Sequence, residues 1–338
     1  EYNDDPVFRS MAPVETYASR RRTILAFHDR GGDAGVEAIS VGRFDYSGLF
    51  QLYRTHNDSQ YVGLRRLVEE RRPRRIGINV SDAWNHADGL SHNEHTRLVE
   101  ALGPWAERLT SAEMLAVGWL ETKLPSETDQ YRYAVRLAHQ VIAEAFSNKV
   151  IVPGATTTED VVWWMRQRVA EMGLDLWFQP SVSIQRRGGL PAQTPAGGHV
   201  IQRGDMLHTD FGLIMLGYST DTQHNAYVLL PGETDAPEGL KAGLRRGNRL
   251  QDITLEHAKA GATGNQALAA ALAQARAEGM VPSIYCHGVG YHGHGAGTPI
   301  GMTDYQTGVP VRGDHVFRLH TWHAIELNHV QPVPEWDG

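Results

Sequence analysis

Cysteine is almost absent from this chain of 338 residues, which contains only Cys286. A single cysteine can form neither an intramolecular disulfide nor a zinc site built on several thiolates. It leaves both a cytosolic and an exported protein open, and a cytoplasmic location is the expectation. The chain begins with Glu1 instead of methionine, which is consistent with a leader or a tag having been removed.

Long apolar runs and an excess of positive charge are missing too. No stretch approaches the ~18 apolar residues of a membrane-spanning helix, so we expect no membrane partner. The chain has 32 lysines and arginines against 39 acidic residues, a net charge of -7 and a pI near 6.2. A nucleic-acid partner normally needs a clustered basic face, so we expect none, and a small or neutral substrate instead.

What the sequence does contain is the composition of an ordinary globular protein, with 41% hydrophobic residues, and a length sufficient for two domains. Its first part alternates strand and helix patterns, as is typical of a small α/β domain. We place this domain at residues 1–124. The predicted strands and helices cover Thr23 to Phe27, Ala38 to Val41, Ser59 to Glu70, Ile76 to Val80 and His95 to Leu109.

The remaining residues, 125–338, read as an α+β domain in which helices precede the strands. Pro125 is a favourable first residue for a long helix. Thr156 and Glu159 have the spacing of a capping box, which predicts a second helix shortly afterwards. From Leu176 onward, β-rich pieces alternate with glycine turns. The predicted helical segments are Ser126 to Ala145, Val161 to Met172 and the block Glu238 to Glu278.

A long polar loop is predicted from Ser181 to Arg203, because this stretch is rich in proline and glycine. Loops of this length are often lids or substrate loops, and a solvated connector is the alternative. Arg186 and Arg187 in this loop are candidate substrate-binding residues.

Two aspartates lie in an apolar segment with the pattern of a hairpin. Asp210 and Asp221 are separated by a turn at Gly217. Ionised carboxylates in apolar surroundings are unfavourable, and two that lie close together repel each other, so a cation between them is the natural compensation. The alternative is that both aspartates cap turns at strand ends.

Three histidines within eight residues follow later in the chain, at His287, His292 and His294, and glycines separate them. Glycine has no side chain to pack, so this spacing indicates a backbone that lies close to a ligand or a metal. Imidazole serves both as a metal ligand and as a proton shuttle. A flexible histidine-rich surface loop is the alternative.

Glu326 interrupts an otherwise apolar strand, Trp322 to Asn328. Alone it would be read as a salt-bridged edge residue. Together with the two aspartates and one imidazole it completes a set of oxygen-rich ligands, which suits divalent manganese, cobalt or zinc better than a thiolate site would.

These residues resemble the pita-bread metallopeptidases, the group that includes methionine aminopeptidase, aminopeptidase P, prolidase and creatinase. Asp210 and Asp221 look like the hairpin pair that bridges two metal ions in that family. Residues 293–297, Gly-His-Gly-Ala-Gly, look like its histidine motif, and Glu326 like its fourth ligand. The stretch from Trp119 to Ala138 is similar to the entry of the catalytic domain.

The resemblance implies a pita-bread catalytic domain preceded by the smaller α/β domain, and two divalent ions, Mn, Co or Zn. His292 is an alternative imidazole ligand to His294. His287 or His292 would hydrogen-bond the substrate carbonyl or the developing oxyanion, and Glu326 would also shuttle a proton. The implied metal ligands are Asp210, Asp221, His294 and Glu326.

The activity that the resemblance implies is hydrolysis of an N-terminal peptide bond by a metal-activated water, most often before proline. The substrates would be short peptides or dipeptides, and a homodimer is expected by analogy with relatives. Two alternatives remain open. One is a metal-free, creatinase-like amidinohydrolase, and the other is a non-catalytic peptide-binding pita-bread protein.

The chain also departs from the family pattern. Thr303-Asp304-Tyr305 stands where a His-Glu pair is expected, and no second late glutamate follows Glu326 at a suitable distance before Gly338. From this we expect either a catalytic domain truncated at its C-terminal end or an incomplete metal site.

Overall fold

The computed structural model describes residues 5–18, 23–55, 58–190, 193–195, 197–336 and 338. Residues 191, 192 and 196 of the predicted long loop lie outside the described residues. The chain divides into two compact units, Glu1–Trp119 and Leu120–Gly338. The division falls a few residues before the border that the sequence pattern suggests.

The first unit contains the alternating strands and helices of an α/β domain. Strands β1 and β2 pair antiparallel, β2 and β3 pair parallel, and β4 and β5 form a separate parallel pair. Its elements are α1 (Pro6–Met11), β1 (Ile24–Asp29), β2 (Val36–Gly42), β3 (Gln51–Arg54), α2 (Gln60–Arg71), β4 (Ile76–Ile78), α3 (His92–Leu102), β5 (Leu109–Ser111) and α4 (Glu113–Glu121), whose last residues belong to the second unit.

Helix α3 corrects the segment predicted from His95 to Leu109. It begins earlier, because Ser91 and Glu94 form a capping box. It ends at Leu102, because Gly103 has a positive φ of 56° and a proline follows it. The last residues of the predicted helix form a 3-10 turn instead.

The second unit combines helices with several small antiparallel sheets, which confirms the α+β class. Its elements are α5 (Pro125–Ala145), α6 (Thr158–Glu171), β6 (Asp175–Leu176), β7 (Ser181–Gln185), β8 (Met206–Phe211), β9 (Leu213–Met215), β10 (Tyr218–Ser219), β11 (Thr222–Tyr227), α7 (Glu238–His257), α8 (Gly264–Ala277), β12 (Pro282–Ile284), β13 (His287–Gly288), β14 (His323–Ala324) and β15 (Leu327–His329).

Helices α5 and α6 pack on one face of the sheet β11-β8-β7. Buried apolar side chains fill this layer, among them Val141, Met165 and Leu207. The capping box of α6 consists of Thr157 and Asp160, one residue later than predicted. The predicted cap, Thr156, instead accepts a hydrogen bond from the Val152 amide through its hydroxyl.

Two further elements differ from their prediction. The helical block from Glu238 to Glu278 is two helices, because Thr263 caps α8 and Gly261 takes a left-handed φ of 91° between them. The predicted loop begins with strand β7, in which Val182 and Ile184 point to the same side and pack into the core.

Short strand pairs bring distant parts of the chain together at one end of this unit. Strand β12 pairs with β15, and β13 pairs with β14, so that His287 lies opposite Ala324. The segment that carries the histidines is thereby placed beside the segment that carries Glu326. No helix among the described residues is long and apolar enough to cross a membrane.

Candidate metal centre

The aspartate hairpin, residues 206–227, places its two carboxyl groups on one face. Asp210 in β8 lies opposite Gln223, and Phe211 lies opposite Thr222. Asp221 precedes Thr222, two residues from Gln223. Because side chains alternate along a strand, Asp221 and Gln223 point to the same side, and the two aspartates are diagonal neighbours.

The surroundings of Asp210 disfavour its charged form. Burial raises its pKa to about 7, and the negative charges of Asp221 and Glu326 act in the same direction. Its Oδ1 atom is buried and accepts no hydrogen bond. A buried carboxylate oxygen with no donor and two acidic neighbours fits a site for a cation, which would replace the missing donor and offset the repulsion.

His287 lies between two of these acidic side chains. Its Nε2 atom is 3.2 Å from Oδ2 of Asp221 and 2.9 Å from Oε1 of Glu326. Its Nδ1–H donates to the carbonyl oxygen of Gly288 at 2.8 Å. Burial opposes a charge on this ring, but hydrogen bonds to the two carboxylates outweigh it and raise the pKa of His287 to about 10.

Asp221, His287 and Glu326 are the only group of three among the described residues whose ligand atoms, one from each, lie within 4.8 Å of one another. Asp221 is 3% exposed, so the site is largely shielded from water. The backbone oxygen of Glu326 accepts from the Tyr285 amide at 3.0 Å, which fixes the glutamate segment beside the histidines. Two carboxylates and an imidazole are donors that divalent Mn, Co and Zn accept.

Comparison with known proteins gives the family of the chain. The model of Metallopeptidase family M24 matches residues 129–335, more than half of the chain. The chain belongs to metallopeptidase family M24. Membership confirms the predicted class of enzyme, a peptidase that acts on peptide substrates. Members of this family use divalent metals. None of the curated proteins searched matches the sequence.

Solved structures show the same fold as this M24 peptidase. An Xaa-Pro dipeptidase from Bacillus anthracis is 19% identical, with a TM-score of 0.61 over 97% of this chain and 86% of that one. An X-Pro aminopeptidase from Thermotoga maritima is 16% identical, with a TM-score of 0.57 over 87% and 82%. A variant of aminopeptidase P from Escherichia coli is 12% identical, with a TM-score of 0.61 over 99% and 81%. The predicted pita-bread fold is confirmed.

The M24 peptidase brings together four of the predicted site residues, whereas His292 and His294 are not part of this group. Asp210, Asp221, His287 and Glu326 form the cluster described above. The ring of His294, the predicted ligand, stands outside the three-residue group, although its centroid is 4.6 Å from that of His287. The ring of the half-buried His292 lies edge-on to Tyr291, with centroids 5.1 Å apart.

The two arginines predicted to bind substrate are placed differently from each other. Arg186 forms a two-pronged ion pair with the fully buried Asp205, with both N–O distances at 2.6 Å, and also donates to the Val200 carbonyl. Its guanidinium is therefore occupied within the protein. Arg187 is exposed. A substrate-binding role stays a prediction for both residues.

One residue that sequence reasoning missed is Trp177. Its ring lies 5.3 Å from that of His294, centroid to centroid, at an interplanar angle of 90°. The sequence contains one indication of a packed side chain here. Gly212 lies two residues after Asp210 and Gly293 directly before His294, and a glycine in such a place often allows another group to lie against the backbone. The sequence alone does not show which side chain fills the space at either glycine.

Proposed function

We propose that this M24 peptidase is a metal-dependent aminopeptidase or dipeptidase of the Xaa-Pro type. The observation that carries the proposal is the cluster of Asp221, His287 and Glu326 beside Asp210, whose buried Oδ1 accepts no hydrogen bond. The names of the structural neighbours, X-Pro aminopeptidase and Xaa-Pro dipeptidase, support the Xaa-Pro preference. A homodimer stays a prediction.

His287 is the proposed imidazole ligand, in place of the His294 that the glycine spacing favoured. A metal-binding histidine usually donates its other N–H to a carbonyl or a carboxylate, which fixes the ring. The Nδ1–H of His287 donates to Gly288 in this way, and its Nε2 faces Asp221 and Glu326. No comparable contact directs His294 toward the carboxylates among the described residues.

The other proposed ligands are Asp210, Asp221 and Glu326. Three carboxylates carry enough charge and enough oxygen atoms for two divalent ions, and manganese, cobalt and zinc all suit carboxylates with one imidazole. A bound divalent ion supplies Lewis acidity, which lowers the pKa of a water molecule and polarises a carbonyl.

The neighbouring imidazole of His294 is available to the substrate. Burial lowers the pKa of His294, and the charge on His287 in the metal-free chain acts in the same direction. A neutral imidazole beside the cluster can donate a hydrogen bond to the scissile carbonyl oxygen or accept a proton. His292 and Glu326 stay predicted partners of the substrate and of the transferred proton.

A metal-free amidinohydrolase explains the site less well. Without a cation, Asp210 would remain buried between acidic neighbours with a pKa of about 7 and no hydrogen bond to its Oδ1. Such an arrangement is unfavourable and calls for a ligand. A non-catalytic peptide-binding protein would retain the metal cluster without turnover, and the experiment below separates it from an enzyme.

The test compares the purified chain with its Asp221→Asn variant, both stripped of metal and then dialysed against manganese. Metal content is measured, and hydrolysis is followed with Ala-Pro, Ala-Pro-Ala and Ala-Ala. The tripeptide separates an aminopeptidase from a dipeptidase, and Ala-Ala reports the proline preference. Asp235→Asn is the matched control, because Asp235 is a largely exposed aspartate that bonds Lys241.

We expect bound metal and Xaa-Pro hydrolysis in the unmodified chain and in the control. In Asp221→Asn, bound metal and Xaa-Pro hydrolysis should each fall by at least about 100-fold. Residues that only support a metal ligand already contribute up to about 100-fold, and Asp221 is a proposed ligand itself. Bound metal without hydrolysis of any of the three peptides would contradict the enzyme. Hydrolysis that survives metal removal would contradict the metal mechanism.

A further inference from the structure

Trp177 contacts both the aspartate hairpin and the histidine loop, residues 287–297. Strand β6 pairs antiparallel with β9, and Leu176 lies opposite Leu213. Continuing this register by one residue places Trp177 opposite Gly212. The indole therefore lies beside Gly212, which is two residues after Asp210 in the hairpin.

On the hairpin side, a hydrogen bond and close packing against Gly212 fix the position of the indole. Its Nε1–H donates to the backbone oxygen of Thr220 at 2.6 Å. Thr220 is completely buried, and its hydroxyl accepts from the Leu213 amide at 3.1 Å. A Cβ atom at Gly212 would lie 1.8 Å from Nε1, so only glycine admits the indole here.

On the other side, the same indole contacts the histidine loop. A Cβ atom at Gly293 would lie 2.0 Å from Cε3 of Trp177, so the loop backbone rests directly on the six-membered ring. The next residue, His294, meets the indole edge-on, an arrangement that aromatic pairs favour. The ring of His294 then stands 4.6 Å from that of His287.

The indole thus touches the residue before Asp221 and the residue before His294. Thr220 precedes Asp221, and Gly293 precedes His294. The indole packs between them beside a direct hydrogen bond from the Ser219 amide to the Gly290 carbonyl oxygen, and its edge-on contact borders the imidazole of His294. Such supporting contacts typically change activity by about 10- to 100-fold when they are removed.

We propose that Trp177 is a positioning residue that holds the histidine loop on the aspartate hairpin and orients His294 beside His287. Its role in turnover rests on the function proposed above, whereas its effect on the His294 ring does not. Trp177 acts through His294, so its removal should matter only while that imidazole is present.

A double-mutant cycle tests this dependence. Trp177→Phe removes the Nε1–H and the second ring but keeps an aromatic side chain. We expect kcat to fall about tenfold with little change in KM, because orientation and not ground-state binding is lost. In a His294→Ala background the same substitution should leave the residual kcat unchanged. Trp163→Phe, at a 57% exposed tryptophan, is the control.

A second readout uses the metal-free protein and needs no activity. In protein labelled at histidine ring carbons, the His294 signal is assigned by its loss in His294→Ala. The indole edge shifts this signal, so Trp177→Phe should move it while Trp163→Phe leaves it in place. Thermal unfolding of each variant shows whether the chain remains folded.

Two results would overturn the proposal. The first is additive loss of kcat in the double variant, which indicates a general structural role. The second is a His294 signal that Trp177→Phe does not move in a folded chain. If the unmodified chain hydrolyses no peptide, the proposed function fails, and the His294 signal alone decides the role of Trp177.

Discussion

The Nε2 atom of His287 lies 2.9 Å from Oε1 of Glu326, across 39 residues of sequence. This contact connects the histidine loop to the segment between β14 and β15, and the same nitrogen lies 3.2 Å from Oδ2 of Asp221. An imidazolium holds the carboxylates together in the metal-free chain. A divalent cation at the same place would take over that role, and the ring would have to lose its proton.

His287 and His294 should therefore have separable functions. His287→Ala should weaken manganese binding by at least about 100-fold, because it removes a ligand, whereas His294→Ala should change it by less than about threefold and lower kcat instead. Calorimetric titration of the metal-stripped variants measures the first quantity, and Ala-Pro hydrolysis measures the second. The reverse pattern would restore His294 as the ligand.

Metal binding should release a number of protons that depends on pH. At pH 8, His287 with a pKa of about 10 still carries its proton, and Asp210 with a pKa of about 7 has lost most of its own. We expect release of about one proton there and about two at pH 6. Titrations in buffers of different ionisation enthalpy give this number. His287→Ala should lower it by about one at both pH values, and a pH-independent value of zero is incompatible with these groups as ligands.

Asp210 should destabilise the metal-free fold as the pH rises. Its folded pKa of about 7 lies above the ordinary value of 3.8, so the folded state holds its proton more tightly. Protonated Asp210 makes its full contribution to the stability of the folded state below pH ~4. This contribution is lost as the pH rises from ~4 to ~7. Asp210→Asn keeps the neutral form, so at pH 8 it should be more stable than the unmodified apoprotein.

The expected gain is about 1 to 2 kcal/mol, after allowance for partial solvent exposure of Asp210. Urea unfolding at pH 5 and pH 8 in the presence of a chelator measures it, and the gain should be smaller at pH 5. Asp235→Asn serves as the control. Asp210→Asn should also bind manganese poorly, and equal stability of both proteins at the two pH values would contradict the origin of the shift.

Arg186 should matter for stability more than for substrate binding. Substitution by glutamine leaves Asp205 buried with only part of its hydrogen bonds, which should lower the free energy of unfolding by about 3 kcal/mol. Arg187→Gln, at the exposed neighbour, should change it by less than ~0.5 kcal/mol. Chemical unfolding and the KM for Ala-Pro are measured on both. A tenfold rise of KM in a stable Arg186→Gln chain would support the predicted substrate contact instead.

Much of the fold follows from local pattern. The apolar residues around Asp210 and Asp221 and the turn at Gly217 predict a hairpin with one carboxylate on each strand. The structure pairs β8 with β11 and places Asp221 directly before β11. Helix α5 begins at Pro125 as expected, because proline is well tolerated in a first turn. The start of α6 differs from its prediction, because the helix begins at Thr158 instead of Val161 and its capping box is Thr157 and Asp160, one residue later than Thr156 and Glu159.

The choice among three histidines could not be made from local pattern. Gly288 follows His287, and Gly293 and Gly295 flank His294, but neither spacing shows which ring contacts Glu326. That contact depends on the β13–β14 pairing, a long-range arrangement. The role of Trp177 was hidden for the same reason, since its partners Thr220 and Gly293 lie 43 or more residues away in sequence.

The most direct test is an anomalous diffraction map from crystals of the chain soaked in manganese. The expected result is anomalous density between the carboxylates of Asp210, Asp221 and Glu326, with Nε2 of His287 as the imidazole ligand and Nδ1 still bonded to Gly288. Density ligated by His294 with His287 turned away would contradict the ligand assignment. No density at this cluster, with manganese bound elsewhere or not at all, would contradict the metal centre itself.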